Sequence, residues 1–150
     1  LGEKEESQFI KDMINRFNLG CTPEDLEVEL GNWDNEFLAV NDELVSLIKE
    51  LKDKYEIACF SNVSRALSER MDKRGLYDFF DRKYLSYQIG KTKKDIEAWE
   101  FVEKGLGYKP AECLFVDDSA KNVEVAQTRG WQAIQYTNDH RVKEKLRELI

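Results

Sequence analysis

Apolar positions change period along this chain, and the changes mark its elements. Ile10, Met13, Ile14 and Phe17 recur at helical spacing and predict an amphipathic helix over residues 3–17. Thr22-Pro23-Glu24-Asp25 has the order of a helix start: a cap, a proline in the first turn, acids behind it. Leu26 and Leu30 give that helix its apolar side, and Gly31 is expected to end it. Asn41 caps a third helix with Leu44, Leu47, Ile48 and Leu51 on one face. The period then shortens. Residues 56–60 read as a strand, Ser61-Asn62 as a turn, and 63–74 as a helix closed by Gly75. A weaker strand follows at 83–87, then a loop at 90–94. The next helix carries Ile96, Trp99, Phe101 and Val102 and stops near Gly105-Leu106-Gly107. Residues 114–116 form an apolar strand, 119–129 a helix closed by Gly130, 131–136 a strand, and 139–150 a charged final helix.

From residue 55 onward, strand and helix alternate, which argues for an α/β domain built on a parallel sheet. Residues 1–40 are helical only and predict a separate small layer. The 150 residues suffice for one ordinary domain with a core. A net charge of −7 without any Lys/Arg-rich block argues against non-specific nucleic-acid binding. No apolar run reaches the length of a membrane span, and no signal peptide is visible. Cys21, Cys59 and Cys113 are scattered and odd in number, and His140 is the single histidine, so a zinc site is not expected. Cys59 and Cys113 lie in apolar runs and read as reduced core residues. These features together predict a soluble cytoplasmic protein. The sequence starts at Leu1 rather than Met, and the expectation is that it is the larger part of a longer protein.

The run Leu114-Phe115-Val116 ends in two adjacent carboxylates, Asp117 and Asp118. Open α/β sheets bind their ligands at the carboxyl ends of strands. Two carboxylates there repel each other unless a cation lies between them, and Mg²⁺ is hard and prefers oxygen. A charged turn entering a helix N-terminus accounts for the same pair equally well. Ser61-Asn62 follows the first strand and Lys93 the second, within Gly90-Lys91-Thr92-Lys93-Lys94-Asp95. Right-handed crossovers bring such strand ends to one edge. A hydroxyl, an ammonium and a carboxylate pair suit a phosphoryl group with its metal. Taken singly, Ser61 also reads as a helix cap and the lysines as solvated surface. Trp33, Trp99 and Trp131 read as packing.

These pieces in this order resemble the haloacid dehalogenase-like (HAD) superfamily, in the branch of capped small-molecule phosphatases. The resemblance runs from about Asn41 to Tyr136. It implies a Rossmann-like three-layer parallel sheet with a partial helical cap. Residues 1–40 would be the remnant of the cap, and 41–150 the α/β core lacking its first, central strand. It implies that Ser61 and the Asn62 backbone N–H bind the transferring phosphoryl group. Lys93 would neutralise it, Asp118 would hold Mg²⁺ with Asp117 as second ligand or orienting group, and Asn122 would support the acidic loop. Two departures stand out. Lys94 occupies the place where the family usually has proline, so the choice of Lys93 over Lys91 or Lys94 rests on spacing alone. No strand followed by the family's nucleophilic Asp-x-Asp exists in the chain; Asp34 follows no apolar run.

The implied function is a Mg²⁺-dependent phosphate-monoester hydrolase acting through an aspartyl-phosphate on a small phosphorylated metabolite. Its nucleophile would lie outside this chain, and the chain alone would be inactive. An alternative is a non-catalytic relative that binds a phosphorylated ligand or a protein partner. Haloacid dehalogenation ranks third, since it needs no Mg²⁺. The absent strand would leave apolar edges to be covered by a preceding segment, by a second copy of the chain, or by direct pairing of the two neighbours.

Overall fold

The computed structural model describes residues 6–37, 40–137 and 140–148. Helices α1 (Glu6–Phe17) and α2 (Pro23–Phe37) pack on each other ahead of the sheet. Thr22 opens α2 reciprocally with Asp25. The Thr22 hydroxyl oxygen accepts from the Asp25 N–H at 3.2 Å, while Asp25 Oδ2 accepts from the Thr22 N–H and hydroxyl. Gly31 does not end this helix, which continues to Phe37. A lone glycine costs a helix only about 1 kcal/mol relative to alanine. Gly31 also lacks the positive φ of a terminating residue, unlike Gly90 at 75°, which does stop its helix.

The remaining elements alternate. Helix α3 (Asp42–Lys52) is capped by Asn41, whose Oδ1 accepts from the Leu44 N–H at 3.0 Å. Then come β1 (Ala58–Ser61), α4 (Arg65–Lys73), β2 (Arg82–Leu85), α5 (Ser86–Ile89) and α6 (Ile96–Leu106). After a short 3-10 turn follow β3 (Leu114–Asp117), α7 (Ala120–Thr128), β4 (Gln132–Gln135) and α8 (His140–Arg147). The strand expected at 83–87 ends early because Ser86 turns into α5. Its hydroxyl accepts from the Val63 N–H at 2.9 Å and donates to the Val63 carbonyl at 3.1 Å, so a side chain replaces a ladder partner there.

The strands form two parallel pairs. In β1–β2, Ala58 faces Arg82 and Ser61 faces Leu85. In β3–β4, Leu114 faces Gln132 and Asp117 faces Gln135. Among the described residues β1 and β3 do not hydrogen-bond to each other. Period-2 alternation sends each strand's side chains into two different layers. Ile57, Leu114 and Ile134 pack against Leu47 and Leu51 of α3 and Val142 and Leu146 of α8. Ala58, Phe60, Phe115 and Ala133 pack against Trp99, Val102, Ala126 and Trp131. The result is a sheet with helices on both faces.

Trp99 is the centre of the second layer and has no exposed surface. Its ring meets those of Phe60 (5.2 Å, 87°), Phe115 (5.0 Å, 63°) and Trp131 (5.9 Å, 87°) edge-on, the arrangement aromatic quadrupoles favour. Trp131 and Arg129 are in turn tied to Glu103 of α6, whose carboxylate accepts from both. The side chains of Trp33, Asp34 and His140 lie outside the described residues. No helix among the described residues is long and apolar enough to cross a membrane.

Candidate functional site

The site is assembled where β1 and β3 end. Strand β1 delivers Ser61 and then Asn62; β3 delivers Asp117 and then Asp118. Between them comes the loop leading into α6. Gly90 stops α5, and the loop is then held by a small hydrogen-bonded box: Asp95 Oδ2 accepts from the Thr92 N–H at 2.8 Å and from its hydroxyl at 2.9 Å. These bonds hold the Asp95 carboxyl below the usual carboxylate range.

Lys93 leaves this loop and is buried, with 9% of its surface exposed. Its backbone N–H donates to Asn62 Oδ1 at 2.9 Å, and its carbonyl accepts from Trp99 Nε1 at 2.9 Å. The ammonium lies over the Phe60 and Phe115 rings, at 5.4 and 5.3 Å from their centroids. It then donates to Asp117 Oδ2 at 2.5 Å. Lys91 and Lys94 are exposed, and Lys91 makes only a 3.7 Å surface pair with Glu97. Of the three lysines, Lys93 is the one turned inward.

Asp117 is also buried, and both of its oxygens are engaged. Oδ1 accepts from the Ser119 N–H and from Asn122 Nδ2, each at 2.9 Å, and Oδ2 belongs to Lys93. Burial pushes its pKa up. The Lys93 ammonium, the Asn122 amide and the Ser119 N–H outweigh that, and the carboxyl is held below its ordinary value. Asp118 is different: it is exposed, its backbone carbonyl accepts from Gln135 Nε2 at 3.0 Å, and nothing among the described residues engages its carboxylate. The hydroxyl of half-buried Ser61 likewise has no partner there. The structure thus joins Asn62, Lys93, Asp117 and Asn122 into one hydrogen-bonded unit and sets Ser61 and Asp118 beside it.

Sequence reasoning missed three parts of this unit. Asp95 accepts from Thr92 to close the loop carrying Lys93, and Trp99 donates to the Lys93 carbonyl. A signal was present for two of them, since Thr followed three residues later by Asp is the pattern of a side-chain-closed turn. The Asn62 side chain serves Lys93. Cys59, half-buried under the same strand end, has its thiol pushed up by burial, against a weaker opposing pull from Lys93 and Lys83. It is poorly suited to act as a nucleophile.

A cation would find uneven ligands here. The carboxylate of Asp118, unengaged among the described residues, suits a hard metal, whereas Asp117 already accepts three hydrogen bonds and has only the second lone pair of Oδ2 left to offer one. No cluster of three or more His, Cys, Asp or Glu side chains exists among the described residues.

Comparison with known proteins shows the family and the fold. The profile of the haloacid dehalogenase-like hydrolases matches residues 6–128. A D-ribitol-5-phosphate phosphatase from Bacteroides thetaiotaomicron is 33% identical over 113 residues, covering 71% of this chain and 55% of that protein. A sesquiterpene phosphatase from Aspergillus oryzae is 29% identical over 109 residues, covering 71% and 56%. The chain therefore spans about half the length of the curated relatives it matches. Among solved structures, a HAD family enzyme from Bacteroides thetaiotaomicron in complex with magnesium and inorganic phosphate superimposes with a TM-score of 0.77. The match has 22% identity and covers 89% of this chain and 70% of that one. A HAD-like family hydrolase from Porphyromonas gingivalis gives a TM-score of 0.75 at 24% identity, covering 97% and 75%. The fold is the HAD-like, Rossmann-type α/β fold, and the chain belongs to the haloacid dehalogenase-like hydrolases.

Proposed function

We propose that this chain carries the phosphate- and cation-handling part of a phosphate-monoester hydrolase for small phosphorylated metabolites. The observation that carries the reading is the buried Lys93–Asp117 pair at a strand end, with the Asp118 carboxylate and the Ser61 hydroxyl, neither engaged among the described residues, beside it. Ser61 would donate its hydroxyl hydrogen to a phosphoryl oxygen, and the Asn62 N–H would donate to another. Lys93 would share its ammonium between Asp117 and the phosphate, an electrostatic contribution that strengthens as charge builds on the transferring group. Asp118 would hold Mg²⁺, which when bound supplies charge neutralisation to the phosphoryl oxygens. Asp117, with Asn122 behind it, would orient Lys93 rather than bind metal. The phosphatase relatives support the substrate class.

In this reading the phosphoryl group passes to a carboxylate that lies outside the described residues. The carboxylate oxygen bonds to phosphorus as the ester P–O bond breaks, and the alcohol leaves with a proton given by an acid that also lies outside the described residues. Water then cleaves the acyl phosphate to release inorganic phosphate. The segment bringing that carboxylate would occupy the cleft between β1 and β3, with α1 and α2 as part of a cap.

Two measurements test this. Isothermal titration with Mg²⁺ should show Asp118→Asn losing affinity by about tenfold or more, the scale on which ligand and supporting-shell changes act. Asp117→Asn should lose less. Undiminished affinity in both variants removes the cation site. Assayed with p-nitrophenyl phosphate, the 150-residue chain should show no turnover, because Asp117 is engaged and Asp118 is assigned to the cation. Mg²⁺-dependent turnover lost in Asp118→Asn would mean that the nucleophile lies within the chain after all. No turnover combined with tight phosphate binding is also what a non-catalytic phosphate binder would give.

A further inference from the structure

The Lys93 backbone is gripped from two sides by side chains distant in sequence. Asn62, just past β1, accepts from its N–H, and Trp99, a turn into α6, donates to its carbonyl, both at 2.9 Å. The two bonds meet on the one residue of the loop that faces inward. Trp99 is itself immobilised, since it is fully buried and packed edge-on against three aromatic rings from β1, β3 and the segment before β4. Phenylalanine would fill much of the same space, but only tryptophan brings a donor to the Lys93 carbonyl. A lysine side chain has four rotatable bonds, so its ammonium is placed well only if its backbone is.

We propose that Trp99 is a positioning residue for Lys93. Its indole N–H, working with the Asn62 side-chain carbonyl, fixes the two peptide units on either side of the Lys93 Cα, from which the ammonium reaches Asp117 and an incoming phosphate. Trp99 touches no reacting atom; it acts through Lys93 and couples the packing of the core to the orientation of the charge. The phosphate part of this inference rests on the function proposed above, whereas the effect on the Lys93–Asp117 pair does not.

The test uses three replacements: Trp99→Phe, 3-benzothienylalanine at position 99 (the shape of tryptophan without the N–H), and Asn62→Ala at an exposed position where packing is not at issue. The Lys93 ammonium should give a slowly exchanging ¹⁵N resonance in the parent, since it is buried against Asp117. Each replacement should abolish or broaden that resonance. Affinity for inorganic phosphate with Mg²⁺ present should fall roughly tenfold, the net weight of about one hydrogen bond. Mg²⁺ affinity itself should not change. Trp99→Phe combined with Asn62→Ala should lose less than the product of the single losses, because both act on the backbone of one residue. A normal ammonium resonance in the benzothienylalanine protein and in Asn62→Ala overturns the proposal. If the parent binds no phosphate, the proposed function fails, and the ammonium resonance still decides the role of Trp99.

Discussion

Replacing Lys93 by methionine is expected to cost about 3–5 kcal/mol of folding stability at neutral pH, the usual consequence of leaving one partner of a buried ion pair without the other. The side chain is close in length to the original and still covers the Phe60 and Phe115 rings, so lost packing contributes little. What changes is Asp117. Its Oδ1 keeps the Ser119 and Asn122 donors, but Oδ2 loses its ammonium inside a nearly closed site. The pH dependence identifies the cause. In the parent the Asp117 carboxyl is held below its unfolded value. Its contribution is therefore complete above the ordinary carboxylate range and is lost as the pH falls through the lowered folded value. In Lys93→Met the upward push of burial loses its strongest opponent, and the folded carboxyl's pKa rises relative to the parent's. The variant's folded carboxyl then takes up its proton at a higher pH than the parent's, so the stability gap narrows as the pH is lowered from 7 into the carboxylate range. Urea titrations of both proteins across that interval should show the gap narrowing. A gap that stays constant, or never exceeds about 1 kcal/mol, would place the pair in solvent-screened surroundings.

Much of this arrangement is legible in the sequence, because its order follows the apolar periods. Runs ending abruptly in Ser61 and in Asp117 mark strand ends, and strand ends of a parallel sheet gather on one edge. The choice among Lys91, Lys93 and Lys94 is not legible, since all three have the same local chemistry. It is made by the Asn62 and Trp99 side chains, which reach Lys93 from elements distant in sequence. The difference in surroundings between the two aspartates is hidden for the same reason. Adjacent carboxylates look equivalent until strand alternation puts Asp117 on the face of Phe115 and Trp99 and leaves Asp118 outside. Gly31 misleads because a glycine stops a helix only where the backbone takes a positive φ, and residue type alone does not reveal that. The one-turn helix α5 escapes notice because the Ser86–Val63 exchange of hydrogen bonds, not any periodicity, ends β2.

Filling the space between the two strand pairs is expected to change this protein more than any single substitution. Strands β1 and β3 run in the same direction, because Asn62 at the end of one and Asp117 at the end of the other meet at Lys93. Each uses one edge for its parallel neighbour, and no backbone hydrogen bond reaches the other edge among the described residues. Between them is a cleft of about 790 Å³ walled by Ala58, Phe60, Leu114 and Val116, with Leu44 and Ile48 of α3 beside them. Open N–H and C=O rows on both sides of an apolar space are the template for strand addition. An inserted strand would lie about 4.8 Å from each neighbour. The expected occupant is one extended segment other than the described residues, parallel to both strands, apolar on both faces and ending level with Ser61 and Asp117. A seven-residue peptide of two lysines, four valines or isoleucines and a final aspartate serves as the probe. It should bind one to one and slow amide exchange in 58–61 and 114–117 together by at least about an order of magnitude. At a hundredfold excess over its dissociation constant it should add about 2.7 kcal/mol of stability. The same peptide with proline in place of alternate valines lacks the donors and should do neither. Protection of one strand without the other, or of both in the free chain through a dimer seen by light scattering, would mean that the cleft belongs to another occupant or to a second copy of the chain.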